Sequence, residues 1–573
     1  MSSTDANPAA ATPEKPAADP ASKSMDAIVA LAKRRGFVYP ASEIYGGLNG
    51  FWDYGPLGTL LKNNIRDHWW KHMVECPPLD PETGEPIQMV GLDSAIIQNP
   101  KTWEASGHVG GFNDPMRKCT KCGHFVRGDH LLDIIVTSSK WFNDLIQTFQ
   151  PAVAGPTAHP TFDSESLMRW AKGKGKKLAP NLALVRNPQV TLSWLAQRVN
   201  GQPNAPLDIP EIIRYVATEQ LHAEGLQEPC PLCGGEMGEP QQISLMFESY
   251  AGLTKDPENR VYLRPETAQG IFLNYKNVLD TTRVKVPFGI AQIGKSFRNE
   301  LTPRNFIFRS REFEQMEMEW FCPPDESQKW YDFWKGERMK WWLSLGIDPR
   351  NLRFRDHDDD ELAHYSKMCV DVEYKYPFTA PGFGELEGVA HRGCFDLTQH
   401  QEHSGQKMEY FDQARQLAAK EAGKSKEEID AESKYIPNVI EPASGLTRAV
   451  LVLLCEAYTE DPDRPSGVYM KFHPRFAPIK AAILPLVNKD GMPEKARELY
   501  MKLRERHTVE LDVKQNIGKR YARQDEIGTP MCFTIDGQTM EDDTVTVRHR
   551  DTLEQERIRI DEVPGYLDER VWG

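Results

Sequence analysis

Phe308-Arg309-Ser310-Arg311-Glu312-Phe313-Glu314-Gln315-Met316-Glu317 is the stretch that decides how this chain of 573 residues folds. From Glu312 onward acidic and apolar side chains alternate, the period of a β-strand with one polar face. Just upstream stands Ser296-Phe297-Arg298-Asn299-Glu300. Arginines in this setting suit a triphosphate, because the planar guanidinium grips two oxygens at once and stays charged in any pocket. An aromatic among them can stack on a purine ring, with a second guanidinium over the other face. On composition alone, a solvated charged hairpin is the alternative reading.

A second block, Glu441-Pro442-Ala443-Ser444-Gly445-Leu446-Thr447-Arg448, leads into the apolar run Ala449–Leu454. Gly445 lets backbone approach a ligand closely. Arg448 falls in the first turn of the helix that the run predicts, where a cation opposes the helix dipole. An anionic ligand at that place would account for it. A plain helix entry with a surface arginine would also fit.

Outward from these blocks, Leu57, Leu61, Ile65, Trp69 and Met73 recur every four residues and predict a long helix, with Pro56 at its start and Pro77-Pro78 beyond its end. Residues 1–24 form an Ala/Pro-rich tail without large apolar side chains; too little surface is available there to offset ordering entropy, which predicts disorder. Residues 25–475 read as one catalytic domain, interrupted at about 115–240 by an insertion. The insertion opens with Cys119-Thr-Lys-Cys122-Gly and closes with Cys230-Pro-Leu-Cys233-Gly. Between them Lys172-Gly-Lys-Gly-Lys-Lys177 reads as a mobile basic loop. Residues 476–573 alternate strand and helix patterns, with strands at 481–487, 509–513, 531–535 and 544–550 and a helix over 493–506, which predicts a small α/β domain with a mixed sheet.

Composition narrows the function. Apolar residues make up 40% and charged residues 27% of the chain, and no apolar run approaches the roughly 20 residues of a membrane helix. A secretory signal pattern is not visible, which favours a cytoplasmic protein that meets no membrane. A net charge of −14 argues against coating DNA, but local basic surfaces can still meet RNA. Ten cysteines in a chain this long do not suggest a disulfide scaffold. Two CxxC units, each followed by glycine, match zinc-knuckle chemistry and point to a structural Zn²⁺ on Cys119, Cys122, Cys230 and Cys233. Unligated reduced thiols are the alternative.

Taken in order, these blocks resemble the signature motifs of class II aminoacyl-tRNA synthetases. The helix from Leu57 resembles motif 1, Arg298–Glu300 with Phe308–Glu317 motif 2, and Gly445–Arg448 motif 3. More narrowly, Tyr54-Gly-Pro-Leu-Gly58, Leu263-Arg-Pro-Glu-Thr-Ala-Gln-Gly270, Arg311–Glu317 and Glu361-Leu-Ala-His-Tyr-Ser366 resemble the glycyl-tRNA synthetases of the α2 homodimer type. The resemblance implies an α+β catalytic domain with an antiparallel sheet, the class II fold, plus a C-terminal α/β anticodon-binding domain. It implies a homodimer that joins glycine to tRNA(Gly) using ATP and Mg²⁺.

The same resemblance implies residue roles. Arg298, Glu300 and Arg448 are the expected catalytic residues. ATP is expected on Arg298, Asn299, Glu300, Phe308, Arg309, Ser310, Arg311, Glu312, Phe313, Glu385, Leu386, Gly445, Leu446, Thr447 and Arg448. Phe313 should stack on adenine with Arg448 opposite, and Glu385 is the expected Mg²⁺ ligand. Glycine is expected against Arg127, Glu266, Phe313, Glu314, Gln315, Met316, Glu317, Glu441, Pro442, Ala443, Ser444 and Gly445, with Glu266, Glu317 and Glu441 facing its ammonium. Lys519, Arg520 and Arg523 are expected to meet the anticodon. Two rivals carry less of the pattern: a class II synthetase of the threonine, proline or histidine type, and a non-catalytic synthetase-like nucleic-acid-binding subunit. The latter should lack the four groups Arg298, Glu300, Arg309 and Arg448.

Overall fold

A computed structural model describes residues 19–151, 160–161, 163–198, 207–217, 228–358, 361–362, 366–379 and 381–573. The disordered reading of residues 1–18, and Ala363, His364 and Tyr365 of the Glu361–Ser366 motif, lie outside the described residues. The chain divides into two compact units, Met1–His108 with Met246–Gly573, and Val109–Leu245.

In the first unit, helices α1 (Met25–Arg35) and α2 (Pro56–Trp70) precede a short strand β1 (Met89–Gly91). Helix α3 (Ala268–Thr281) leads to β2 (Phe288–Phe297) and β3 (Glu312–Cys322), followed by helix α4 (Ser327–Ser344). Strands β4 (Leu352–Asp356), β5 (Met368–Tyr374), β6 (Gly384–Gly393) and β7 (Asn438–Gly445) follow, and β7 runs straight into helix α5 (Leu446–Ala457). The seven strands form one sheet in the order β4-β5-β6-β7-β3-β2-β1. All pairs are antiparallel except β2 with the edge strand β1.

The sheet has two unlike faces because a strand alternates its side chains. On β3, Met316, Met318, Trp320 and Cys322 enter the main core, while Phe313, Gln315 and Glu317 face a cavity. Helices α2, α4 and α5 pack into the same core. Leu61, Ile65, Trp69 and Met73, the predicted apolar face of α2 and its continuing turn, are fully buried within this chain. Gly58 lets α2 press against Phe37, where an added Cβ would lie 1.8 Å from the carbonyl oxygen. Trp330, Trp334, Trp341 and Trp342 of α4 are buried beside it. Arg338 reaches Glu387 at 2.7 Å in the same interior.

Residues 19–24 correct the reading of a tail that is disordered through residue 24. Pro20–Ser22 makes a helical turn, Lys375 pairs with Asp19 at 2.5 Å, and the Lys23 ammonium caps the carbonyls of Cys455 and Glu456 at the end of α5. Composition signalled the tail, but a lysine at a helix C-terminus anchors its last residues.

Beyond α5 stands a five-stranded mixed sheet with its own core. Its strands are β8 (Ala481–Pro485), β9 (Val509–Leu511), β10 (Met531–Ile535), β11 (Thr544–His549) and β12 (Gln555–Arg559), in the order β9-β8-β10-β11-β12. Helices α6 (Met492–Leu503), α7 (Ile517–Ile527) and α8 (Val563–Trp572) complete it. The edge strand β12 and helix α8 were not legible in the charged sequence Gln555–Glu569.

The second unit holds a three-stranded sheet of Asn113–Lys118, Phe125–Arg127 and Gln241–Ser244. Short helices pack on a core that includes Trp141, Leu145, Leu167, Leu195 and Ile212. The Lys172–Lys177 stretch is helical, not a loop. Gly175 is buried against Trp170 and Val185, and Lys174 pairs with Asp144 at 2.7 Å. Local composition was overridden there by tertiary contact. Among the described residues no helix is long and apolar enough to cross a membrane.

Candidate active site

The polar face of the seven-stranded sheet carries a cavity of about 240 Å³, with residues of β3, β6, β7 and the start of α5 in its wall. One end is cationic. Arg298 follows β2, donates from Nε to the Pro265 carbonyl at 3.0 Å, and lies over the Phe313 ring at 5.3 Å. Arg309 pairs with Glu300 at 2.6 Å. Arg448, in the first turn of α5, pairs with Glu385 at 3.0 Å and lies 4.6 Å over the Phe308 ring. That Glu385 contact supplies the anion that a cation at a helix start requires. In turn, the Arg448 charge holds the Glu385 carboxyl below its ordinary range. Ser310, Leu386, Gly445 and Thr447 complete this wall.

Two cation–π pairs stand at this end, Arg298 with Phe313 and Arg448 with Phe308. Phe308 is also braced edge-on by Tyr376 and Phe378.

The other end is acidic and buried. Glu266, Glu317 and Glu441 all line it, with Gln315, Ala443 and Ser444. One Glu317 oxygen accepts from the Thr267 N–H at 3.0 Å and from the Thr267 hydroxyl, and the other from the Gln315 amide. Burial, with Glu441 and Glu266 nearby, pushes the Glu317 carboxyl up to about 8. Glu441 is likewise raised by burial although it accepts two bonds from Arg392 at 2.9 and 3.0 Å. Burial works upward on Glu266 too, but His108, 3.4 Å away, and Arg392 hold it well below the usual carboxylate range. Behind them Glu319, fully buried and without a hydrogen-bond partner among the described residues, is raised far above its ordinary value by burial and by Glu441.

Arg392 is the residue that the motifs did not disclose. It lies on β6, lines the cavity and ties Glu441 to Asp396, which it meets at 2.8 Å. The partnership spans 49 residues, and only the sheet brings it together.

Several expected residues of the first unit lie elsewhere. Glu312, Glu314 and Met316 point to the opposite face of β3 by the strand period: Glu312 pairs with Lys295, Glu314 with Lys62, and Met316 is in the core. Leu446 is core as well, and Pro442 is buried in β7. Arg311 donates to the carbonyls of Glu300 and Asn49 at 2.8 and 3.0 Å, so it shapes the loop between β2 and β3. Asn299 sits in that loop, outside the cavity wall. Arg127 belongs to the second unit, where Asp129 and Asp114 engage it.

In the C-terminal sheet, Lys519 is exposed on α7. Arg520 is not available to RNA as expected: it is 2% exposed and donates to the carbonyls of Pro485, Asp512 and Leu486. Arg523 is paired with Asp512. The alternating contacts follow from helical period, which turns Arg520 inward and Lys519 outward.

In the second unit the four cysteines converge. Cys119 and Cys233 stand 3.7 Å apart at sulfur, as do Cys122 and Cys230, and all four sulfurs lie within 4.8 Å of one another. Gly123 and Gly234 take left-handed backbone, φ 73° and 68°, which turns each knuckle. Amides of Lys121 and Cys122 point at the Cys119 sulfur.

Two family models match the first unit. Residues 250–457 match the tRNA synthetase class II core domain (G, H, P, S and T), and residues 480–570 match the anticodon binding domain. The solved prolyl-tRNA synthetase from Cryptosporidium parvum, complexed with halofuginone and AMPPNP, shares the fold with a TM-score of 0.54 at 12% identity, covering 97% of this chain and 76% of that one. Fold and cavity thus define a class II tRNA synthetase. At finer grain, the glycine–tRNA ligase of Alkaliphilus oremlandii is 43% identical over 96% of this chain and 99% of its own length. The glycine–tRNA ligases of Rhodopirellula baltica and Geobacillus thermodenitrificans match equally well, each at 43% identity over 96% of this chain and 99% of their own. The chain belongs to the glycine–tRNA ligase family.

Proposed function

We infer that this chain is an ATP-dependent glycine–tRNA ligase, which forms glycyl-adenylate and passes the glycyl group to the 3′ end of tRNA(Gly). The observation that carries this reading is one cavity with arginines at one end and three carboxylates, Glu266, Glu317 and Glu441, at the other. The first end suits a triphosphate and the second an ammonium.

In the first step the glycine carboxylate attacks the α-phosphorus of ATP and pyrophosphate leaves. In the second, a 3′-terminal hydroxyl of the tRNA attacks the adenylate carbonyl and AMP leaves. No side chain becomes covalently attached. Arg298 steadies the charge that builds on the α-phosphate, Arg309 and Arg448 hold phosphate and base, and the ring of Phe313 offers adenine a face. The acid end fixes the ammonium, so the two reactants meet already oriented. Glycine offers no side chain to grip, and selection rests on denying space to a methyl group. Steric refusal exceeds the about 1–3 kcal/mol that a missing methyl costs in a larger pocket, and no editing site is required.

Mg²⁺ would be held by Glu385, a half-exposed carboxylate that Arg448 keeps ionised; bound with ATP, the ion supplies charge neutralisation on the phosphates. The four converged sulfurs fit a structural Zn²⁺, which prefers four thiolates in a closed tetrahedron. The enzyme acts in the cytoplasm as a homodimer. The apolar face of α2 is spent on the chain's own core, so other surfaces around that helix make the dimer contact. Lys519 is the residue of α7 offered to the anticodon.

ATP–pyrophosphate exchange with a panel of amino acids tests the reading. Exchange with glycine and none with alanine, threonine, proline or histidine is expected. Exchange with any of the larger amino acids, or with none, sinks it.

A further inference from the structure

A second constellation of metal-binding side chains stands on the same sheet as the cavity. His357 directly follows β4 and lies opposite Cys369 of β5, its N–H bonded to the Cys369 carbonyl at 3.0 Å. Asp371 is two residues further along β5, so its side chain shares a face with Cys369. The His357 Nε2 meets an Asp371 oxygen at 2.8 Å. One donor atom from each of His357, Cys369 and Asp371 lies within 4.8 Å of the other two. Asp371 is 7% exposed, and the other two are partly buried.

The face is the catalytic one. Asp371 is the register partner of Gly388 on β6, Gly388 that of Ala443 on β7, and Ala443 that of Glu317 on β3. Gly388, Ala443 and Glu317 all line the cavity. A Cβ on Gly388 would stand 3.7 Å from an Asp371 oxygen. The trio therefore sits one strand beyond the cavity wall.

We propose that His357, Cys369 and Asp371 form a site for a thiophilic divalent cation of the Zn²⁺ class, apart from both the four-cysteine knuckle and the Mg²⁺ that accompanies ATP. The donor set decides the metal. Imidazole and thiolate suit zinc or cobalt, whereas Mg²⁺ demands oxygens and keeps several waters. Tetrahedral ligands at about 2.0–2.3 Å from zinc stand roughly 3.3–3.8 Å apart, within the spread of these three donors. Three protein ligands leave one position open to water or to an incoming oxygen. Binding releases the thiol proton of Cys369 to solvent, and the sulfur then ligates as thiolate. Arg355, 3.9 Å from Asp371, is held by Glu361 at 2.6 and 2.7 Å.

The test is zinc bound per chain after equilibrium dialysis of the full-length protein against buffered micromolar free zinc. Wild type should hold one zinc more than either Cys369→Ser or His357→Ala. A Cys119→Ser/Cys122→Ser variant should lose the knuckle zinc and keep the other. Cobalt substitution should show the absorption of a single-thiolate site that disappears in Cys369→Ser alone. His357→Ala, a change at a partly exposed position, covers the case in which Cys369→Ser does not fold. Equal zinc in wild type, Cys369→Ser and His357→Ala would overturn the proposal, as would loss of all zinc with the knuckle variant.

Discussion

The two ends of the cavity solve opposite electrostatic problems by different means. At the cationic end each of two arginines already leans on a carboxylate, Arg309 on Glu300 and Arg448 on Glu385. Three of the four side chains there are at least a quarter exposed. A polyanion binding there exchanges one anion for another, and the exchange is cheap because water screens the resident pairs. At the acidic end, three carboxyl groups crowd a largely buried recess, and the buried guanidinium of Arg392 ties one of them to Asp396. Screening there is weak, so the carboxyl groups are held in place before the ammonium arrives. The cationic end is adaptable, as suits a long flexible ligand. The acidic end is preset, as suits the smallest amino acid.

The largest effect expected on this contrast is that of Arg298→Ala. It should cut ATP–pyrophosphate exchange by about 10³-fold, at the upper end of what one electrostatic donor to a transition state supplies, with an unchanged melting temperature. A residual rate within tenfold of wild type would mean that the cationic end is redundant as well as adaptable.

Arg392→Met comes next. It leaves Glu441 and Asp396 buried without their counter-ion, which should cost about 3 kcal/mol of stability, read by denaturant unfolding, and should weaken glycine more than ATP. An equal loss for both substrates would show that the two ends do not act separately.

Much of the cationic end was legible in the chain, because its residues cluster within Arg298–Phe313 and at Arg448, and charge among aromatics is visible locally. The acidic end was half legible. Glu266, Glu317 and Glu441 could be named from motifs, but Arg392, His108 and Thr267 act through contacts that the sheet and its loops create across 49 to 158 residues of sequence. Period explains other misses. A motif quoted as a continuous run hides that Glu312, Glu314 and Met316 face away from Phe313, Gln315 and Glu317, and that Arg520 turns inward beside the exposed Lys519. The sheet order and the helix over Lys172–Lys177 needed tertiary contacts that no local pattern encodes.

A third effect is set by protons. The folded Glu317 carboxyl sits at about 8, against an ordinary value of 4.5. A raised carboxyl favours the protonated form in the fold, so its contribution to stability is complete below about 4.5 and is lost as pH climbs through about 8. The melting temperature should therefore fall as pH rises from about 4.5 to about 8 and level off above that, and Glu317→Gln, which keeps a neutral group there, should flatten the fall. As pH passes through about 8 the new anion should lower the KM for glycine several-fold in wild type and leave it level in the variant. A glycine KM that is indifferent to pH in wild type would mean that the proton is held elsewhere among the coupled acids.

The smallest effect belongs to Glu385→Gln, and it is the sharpest probe of the adaptable end. Removing that charge frees Arg448 for phosphate but also removes the carboxylate proposed for Mg²⁺, and the two consequences oppose each other. The Arg448–Glu385 pair is half exposed on the glutamate side, where ion pairs contribute about 0–1 kcal/mol, so the KM for ATP should move less than about fivefold. The Mg²⁺ concentration for half-maximal exchange should rise, and the KM for glycine should stay put. A change in ATP KM beyond tenfold would place Glu385 in a prebuilt ligand cage, and the cationic end would then be as preset as the acidic one.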